Sequence, residues 1–203
     1  NMSFEKSAID QIIILDRSID LLSALATQLT YEGLIDEFYG INNTTVTFPA
    51  ENFASPGGED VNFSRTPLSS DEKKQILLNS RDELYLEIRD KNFNAIGPAL
   101  SRVAKTITAA ANERHGDKTI QELKRIVEKL PKFKATELSF SIHTTIASLI
   151  KEHISQHDFL DELSCEQDFM MCVDLDKSKE FIEAMICNQK PINKVLRLIC
   201  MQS

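Results

Sequence analysis

Long apolar runs are absent from this 203-residue sequence, and stretches such as residues 12–15 are only four residues long. A helix that crosses a bilayer needs about 20 consecutive apolar residues, so the sequence predicts no transmembrane segment. The basic and then apolar pattern of a secretory signal is missing as well. The four cysteines are spaced 7, 15 and 13 residues apart and form no Cys-x-x-Cys pair. We therefore expect reduced thiols in a cytosolic protein.

Recognisable catalytic and cofactor motifs are also missing. The sequence has no Gly-x-Gly-x-x-Gly fingerprint, no Walker loop and no nucleophile elbow. His153 and His157 have the i, i+4 spacing of zinc ligands on a helix. The residues between them lack the glutamate of His-Glu-x-x-His, and no third ligand is evident. We therefore predict no catalytic residue, no metal site and no cofactor.

An acidic group near the start of the chain keeps one enzymatic alternative open. A hydrolase could use the Asp16 and Asp20 region, with Asp36 and Glu37 following on the next helix. Asp16 and Asp20 also flank a tight turn, where carboxylates commonly accept backbone N–H groups. We favour this structural interpretation and predict that the chain is not an enzyme.

Charge is distributed unevenly along the chain. The net charge is −8, but residues 102–134 contain nine Lys or Arg and four Asp or Glu, a local +5. Residues 151–183 contain ten acids and three lysines, a local −7. An acidic protein with one basic segment is not expected to bind nucleic acid over its whole surface. The basic segment indicates a protein partner, although such a charge run can also be only a solvated face.

The first part of the chain predicts a small amount of β structure. Residues 11–15 form a continuous apolar, β-branched run, typical of a strand buried in a parallel sheet. Residues 24–39 predict a helix capped by Ser23 and ended by Gly40, with Gly33 indicating close approach of another backbone. Two further short strands are predicted over residues 44–48 and 74–78. Between them, residues 49–70 predict a mobile loop, and Ser80 with Glu83 a capping box that begins the next helix.

The middle of the chain predicts a long antiparallel helical hairpin. Apolar residues recur in heptad spacing along a first arm over residues 94–114, at Phe93, Ile96, Leu100, Val103, Ile107 and Ala110. The chain reverses near residues 114–119. A returning arm then repeats the pattern, at Ile120, Leu123, Val127 and Leu130.

Pro131 lies inside the returning arm, where a proline removes a backbone hydrogen bond and clashes with the preceding turn. We expect either a break in the helix or exchange between bent and continuous forms. Helical periodicity resumes beyond it, at Leu138, Ile142, Ile146, Leu149 and Ile150. Shorter helices are predicted around residues 158–171 and 178–187, and a last one from Ile192.

The predicted class is therefore mainly α with a minor β part. It combines a piece of an α/β parallel-sheet domain, residues 1–90, with a helical domain over residues 91–190 that carries the hairpin. Residues 191–203 would begin a helix leading back into a larger fold.

Several of these segments resemble the Sec/Munc (SM) family, whose members guide SNARE assembly in membrane fusion. The longest are LDRSIDLLSALATQLTYEGLIDEFYGI (residues 15–41) and NSRDELYLEIRDKNFNAIG (residues 79–97). VEKLPKF, LSCEQDF and PINKVLRLICMQS, at residues 127–133, 163–169 and 191–203, are further landmarks. The resemblance covers nearly the whole chain and is closest to the vacuolar and lysosomal branch. A full member is about three times as long, so this chain is expected to be an internal piece.

The resemblance implies a function in tethering and fusion at late endosomes, lysosomes or vacuoles. It implies a cytoplasmic protein, peripheral on those membranes, in a HOPS- or CORVET-type complex whose other subunits bind mostly to segments outside this chain. R-type and Qa-type SNARE helices would lie on the hairpin, with Pro131 as its hinge. The basic residues that we expect to contact them are Arg102, Lys105, Arg114, Lys118, Lys124, Arg125 and Lys129. A general helical interaction module is the alternative.

Overall fold

The computed structural model describes residue 9 and residues 11–53, 73–113 and 120–202, with the backbone alone at residues 17, 113, 120–126 and 128. The chain divides into two compact units, Asn1–Ala26 with Glu162–Ser203, and Thr27–Asp161. The domain boundaries predicted from the sequence, residues 1–90, 91–190 and 191–203, refer to a larger fold and remain a prediction. No described helix is long and apolar enough to cross a membrane.

The described residues are mainly helical. Besides short 3-10 turns, the elements in chain order are α1 (Leu22–Leu25), α2 (Tyr31–Tyr39), β1 (Thr45–Pro49), β2 (Lys73–Leu77), α3 (Glu83–Ile88), α4 (Gly97–Glu113), α5 (Ile120–Ile154), α6 (His157–Met171), α7 (Leu175–Cys187) and α8 (Ile192–Gln202). This content confirms the predicted class, mainly α with a minor β part.

The sheet of the described residues is a pair of short strands. β1 and β2 run antiparallel, with Thr45 opposite Leu77, so the second and third predicted strands are confirmed. The strand predicted over residues 11–15 is wrong. Those residues have no regular structure, and the four apolar side chains from Ile12 to Leu15 are at least 72% exposed. A strand buried on both faces needs paired neighbours, and in the described part of the chain it has none.

The single helix predicted over residues 24–39 is two helices. α1 ends at Leu25, and α2 begins after Thr30, whose side chain accepts the N–H of Gly33. Thr30 thus caps a new helix and satisfies a backbone donor that a continuous helix would have bonded internally. A Cβ on Gly33 would lie 2.6 Å from Cβ of Gln28, so the close approach is real but involves a local side chain. Gly40 ends α2 at φ 72°, as predicted.

The two arms of the predicted hairpin are α4 and α5, which pack against each other. α4 begins at Gly97 rather than at residue 94, because Phe93–Ala95 forms a 3-10 turn. Its apolar face is turned inward, since Ala99 is buried and Val103 and Ile107 are partly buried. The expected reversal, residues 114–119, lies outside the described residues, as does most of the loop predicted over residues 49–70.

α5 is a continuous helix of 35 residues, about 50 Å long at 1.5 Å per residue. Pro131 lies within it and is exposed, so the predicted break is absent here. The missing amide leaves the carbonyl of Val127 without its helical donor, and on an exposed surface water can bind that carbonyl.

The core of the Thr27–Asp161 unit forms around the second half of α5. Ile146 and Ile150 are fully buried, and α5 packs there against α2 and α3. Tyr31 and Phe48 contribute the largest fully buried side chains. This packing fixes the part of α5 around Ile146 and Ile150, and α5 also packs against α4.

In the unit formed by the two ends of the chain, the last helices pack on one another. The apolar side chains of α6, α7 and α8 form one core, from Cys165, Phe169, Ile182, Met185, Val195 and Leu198. The predicted helices are confirmed, although α7 begins earlier than expected, at Leu175. All four cysteines are free thiols, and Cys165 alone is buried.

The contrast between buried and exposed positions of α5 gives a stability test. Ile150→Ala should lower the free energy of unfolding by about 2–5 kcal/mol, because it leaves a cavity among fully buried side chains. Leu138→Ala, on the same helix but 60% exposed, should change it by less than about 0.5 kcal/mol. Urea denaturation of both variants measures the difference. Equal losses would mean that this face of α5 is not the core.

Candidate functional site: the helical hairpin and its base

The basic residues proposed from the sequence lie at different places on the hairpin. Arg102 and Lys105 are exposed on α4, and Lys129 is exposed on α5. Lys124 and Arg125 belong to α5, but only their backbone is described. Arg114 and Lys118 lie outside the described residues. Arg102 is already paired with Glu87 of α3. Among the candidates whose side chains are described, Lys105 and Lys129 are exposed, and Arg102 is exposed but paired.

One face of α5 exposes apolar side chains that the sequence pattern placed inside. Val127, expected in the hairpin seam, is 62% exposed, and Leu138, expected in the core, is 60% exposed. They lie 11 residues apart, three helical turns, and therefore on the same face. Pro131 and Lys134, also exposed, lie between them on that face. We call these four residues the outer stripe; their spacing of 4, 3 and 4 residues is that of a heptad seam.

The base of the hairpin is held by a partly buried polar cluster around Asp82. The carboxylate of Asp82 caps α3 by accepting the N–H groups of Leu84 and Tyr85. It also accepts the hydroxyl of Ser139, at 2.7 and 2.8 Å, and lies 3.2 Å from Nε2 of His143. Ser139 and His143 are one turn apart on α5. A single carboxylate therefore joins the start of α3 to two successive turns of α5.

His143 extends the cluster to α2. Its ring is buried, and Nδ1 lies 2.9 Å from the hydroxyl of Tyr31. When Nε2–H donates to Asp82, Nδ1 can accept the Tyr31 hydroxyl, so a neutral imidazole satisfies both partners. The ring also stacks on Tyr85, with centroids 5.7 Å apart. Three helices thus meet at one histidine.

The electrostatics of the cluster favour an ionised Asp82. Burial alone would raise its pKa, but hydrogen bonds from His143, Ser139 and the Tyr85 N–H outweigh burial. The pKa of Asp82 is therefore well below its ordinary value. Burial, with the neighbouring Tyr85 and Asp82, raises the pKa of Tyr31 well above its usual range, so its hydroxyl stays protonated as a donor.

Two ion pairs lie beside the cluster, at the edge of a groove between α3, α4 and α5. Lys132 of α5 contacts Glu83, with 3.3 Å between Nζ and Oε1, and Arg102 of α4 contacts Glu87. The groove encloses about 850 Å³, and Leu84 and Val103 contribute to its apolar lining. Each arm of the hairpin is therefore tied separately to α3.

The acidic group that allowed a hydrolytic interpretation has local structural roles. Asp16 accepts the N–H of Ser18, and Asp20 accepts the N–H of Ser23. Asp36 accepts the N–H of Ile41 at 2.7 Å, just beyond the end of α2. Carboxylates bound to backbone donors in this way order turns and helix ends.

The two histidines of the zinc-like spacing have separate contacts. His153 lies partly buried, with Nε2 3.1 Å from the hydroxyl of Tyr39 and its ring stacked on Phe38 at 4.7 Å. His157 is exposed and pairs with Asp161, which raises its pKa through the hydrogen bond and the charge. Across the described part of the chain, no cluster of three His, Cys, Asp or Glu side chains could hold a metal ion.

Sequence reasoning missed the Asp82 cluster. It assigned the cap of α3 to Ser80, but Asp82 is the residue that caps the helix. An aspartate directly before an apolar helical segment is an equally good cap, so both residues were compatible with the pattern. Ser139 and His143, polar residues one turn apart within an apolar periodicity, were the signal available. Their common partner lies about 60 residues away and cannot be read from local spacing.

Asp82→Asn tests the charge in this cluster, since asparagine keeps a capping oxygen. We expect the free energy of unfolding to fall by about 1–3 kcal/mol at pH 7, the range for hydrogen bonds to a charged group. Because the pKa of Asp82 is lowered in the folded state, its charge stabilises the fold at any pH above the ordinary pKa of 3.8. This stabilisation is lost as the pH falls below that value. The difference between wild type and variant, from urea denaturation, should therefore shrink below about pH 4.

Asp90→Asn is the matched control, because Asp90 is an aspartate of the same region with a side chain 84% exposed. It should change the free energy of unfolding by less than about 0.5 kcal/mol. A pH-independent effect of Asp82→Asn, or an equal effect of Asp90→Asn, would contradict the role given to the Asp82 charge.

Comparison with known proteins agrees with this architecture. The chain is 49% identical to vacuolar protein sorting-associated protein 33A of Rattus norvegicus. The matched region covers 96% of this chain and 32% of that protein. It is 48% identical to the protein of the same name from Drosophila melanogaster, over 98% of this chain and 34% of the relative. The chain thus spans about a third of the length of these relatives. The resemblance to the vacuolar branch is confirmed.

A solved structure shares the fold. This chain matches the SM protein Vps45 in complex with the Qa SNARE Tlg2, with a TM-score of 0.66 and 21% identity over 98% of this chain and 34% of that one. The model of the Sec1 family matches residues 2–203. The family match covers nearly every residue, and the helices and strand pair agree with the shared fold. The chain therefore belongs to the Sec1 family of SM proteins.

Proposed function

We propose that this chain is the part of an SM protein that binds SNARE helices and promotes their assembly before membrane fusion. The observation that carries the proposal is the outer stripe of α5. It offers two exposed, large apolar side chains, Val127 and Leu138, on a continuous helix within the basic part of the chain. Apolar side chains that recur at heptad spacing along one helix can be covered by the seam of a partner helix.

The spacing of the outer stripe fits a helical partner. A helix with heptad apolar residues can lay its seam along positions that recur every three and four residues, as amphipathic helices do in grooves. The net charge of +5 over residues 102–134 would attract a partner with an acidic surface and speed its association. SNARE motifs are heptad helices with substantial acidic surface, so they have both properties.

Binding of this kind would promote assembly by bringing helices together in register. Two helices held on one arm would nucleate their pairing at a lower entropic cost than two free chains. The Vps45 structure is of an SM protein with a Qa SNARE, which supports a Qa-type partner for this chain. We propose an R-type SNARE helix as the second partner.

The basic residues would contribute steering more than contact area. Lys105 and Lys129 are exposed and available, whereas Arg102 would have to leave Glu87. Arg114, Lys118, Lys124 and Arg125 remain candidates from the sequence. Pro131 would act as a hinge by allowing the arm above it to exchange between straight and bent forms.

The cellular setting follows from the relatives. The names of the vacuolar relatives support work in protein sorting to the vacuole. We propose a peripheral, cytoplasmic location on late endosomes, lysosomes or vacuoles, within a HOPS- or CORVET-type tether bound mainly through segments beyond this chain. The chain would act as a template and not as an enzyme.

A substitution in the outer stripe tests this proposal. Leu138→Asp should weaken binding of an R-type or Qa-type SNARE helix about tenfold or more, because burial of one leucine contributes about 1.5–3 kcal/mol. Fluorescence anisotropy with a labelled SNARE helix measures the affinity. Leu138 is 60% exposed, so the fold should tolerate the change.

Leu86→Asp is the matched control, since Leu86 is 53% exposed on α3. It should leave the affinity unchanged. If the two variants bind the SNARE helix with equal affinity, the outer stripe is not the site. If the wild-type protein binds an unrelated acidic heptad helix as tightly as the SNARE helix, a general helical interaction module is favoured.

A further inference from the structure

The first turn of α3 contacts one face of α5 at three successive points. Asp82 binds Ser139 and His143, and its neighbour Glu83 binds Lys132. The three α5 residues are 7 and 4 positions apart, and therefore lie along a single side of the helix. These contacts begin one residue after Pro131.

The contacts differ in how easily they break. In the His143–Asp82 pair the side chains are 3% and 27% exposed. The Ser139 hydroxyl lies 2.8 and 2.7 Å from the two carboxylate oxygens and donates its single proton to one of them. This anchor is therefore largely buried and multiply bonded. In the Lys132–Glu83 pair the side chains are 77% and 84% exposed. Exposed ion pairs shift an equilibrium by no more than about fivefold, whereas breaking a buried charged hydrogen bond is far more costly.

The part of α5 beside the exposed pair is also the part with the weakest helical bonding. Pro131 removes the hydrogen bond to the carbonyl of Val127. The hydroxyl of Thr136 bonds the carbonyl of Lys132 at 3.0 Å, as the hydroxyls of Thr144 and Thr145 bond theirs further along α5. The lost bond at Pro131 therefore distinguishes residues 127–136, which we call the deformable segment, from the anchored part of the helix that follows.

We propose that the Lys132–Glu83 pair is a latch that holds the deformable segment of α5 against α3, and that an acidic side chain of a bound helix opens it by taking Lys132. The anchor at Asp82 stays closed and makes Ser139 the first fixed residue. Lys132 follows outer-stripe residue Pro131 directly, and its long side chain can reach Glu83 or a carboxylate above the stripe. The opening by a partner rests on the proposed function; the latch itself does not.

Hydrogen exchange on the free protein tests the latch without any partner. The amides of residues 132–135 donate to the carbonyls around Pro131 in an α-helix, and bending there exposes them. In Glu83→Gln they should exchange about two- to fivefold faster than in wild type, the range of an exposed ion pair. The amides of residues 139–146 should not change, because the Asp82 anchor holds them.

Glu137→Gln is the control, because it removes the same charge from an exposed position of α5. It should leave exchange at residues 132–135 at the wild-type rate. Identical exchange in Glu83→Gln and Glu137→Gln would overturn the latch, and so would faster exchange that extends through residues 139–146.

Binding of an acidic SNARE helix tests the opening by a partner. Glu83→Gln and Lys132→Gln should both speed exchange at residues 132–135, but their affinities should move in opposite directions. Glu83→Gln should bind about two- to fivefold more tightly, since Lys132 is freed, and Lys132→Gln more weakly. Equal affinities in both variants, in a protein that binds the helix, would overturn the opening step. No binding by wild type, with altered exchange in Glu83→Gln, would contradict the proposed function and leave the latch standing.

Discussion

The carboxylate of Asp82 is the interaction on which the arrangement of the hairpin depends. It caps α3, accepts the hydroxyl of Ser139 and pairs with the buried ring of His143, which in turn meets Tyr31 of α2. A buried polar network of this kind is stable only when every member is satisfied, because an unpaired buried group is costly. The mutual positions of α2, α3 and α5 are therefore fixed by one set of hydrogen bonds in addition to the packing around Ile146 and Ile150.

This anchor divides the long helix α5 into two parts with different physical properties. From Ser139 onward, its inner side packs into the core, and its bonds to α2 and α3 involve buried or partly buried side chains. Before Pro131, it exposes Val127 to solvent. A base fixed by the core beneath an exposed arm would suit the proposed binding of other helices.

Periodicity along the sequence was sufficient to predict most of the helices, the strand pair and the apolar face of α4, since each rests on local spacing. It joined α1 and α2 into one helix, because it did not identify Thr30 as a cap. It failed where the outcome depends on distant partners. The apolar run at residues 11–15 has strand composition, but a strand needs paired neighbours, and these are not found among the described residues. Val127 and Leu138 fit an apolar helical period and are nevertheless exposed, because periodicity identifies a face without indicating what covers it. His143 could be seen as a polar residue in an apolar helix, but its partner Asp82 could not be chosen from spacing.

A double-mutant cycle between Asp82 and His143 tests this account most directly. Urea denaturation of wild type, Asp82→Asn, His143→Gln and the double variant at pH 7 gives the coupling energy between the two side chains. The account predicts a coupling of about 1–3 kcal/mol, with the double variant less destabilised than the sum of the single variants. Losses that add within about 0.5 kcal/mol would show that the two residues act independently, and would contradict the anchor.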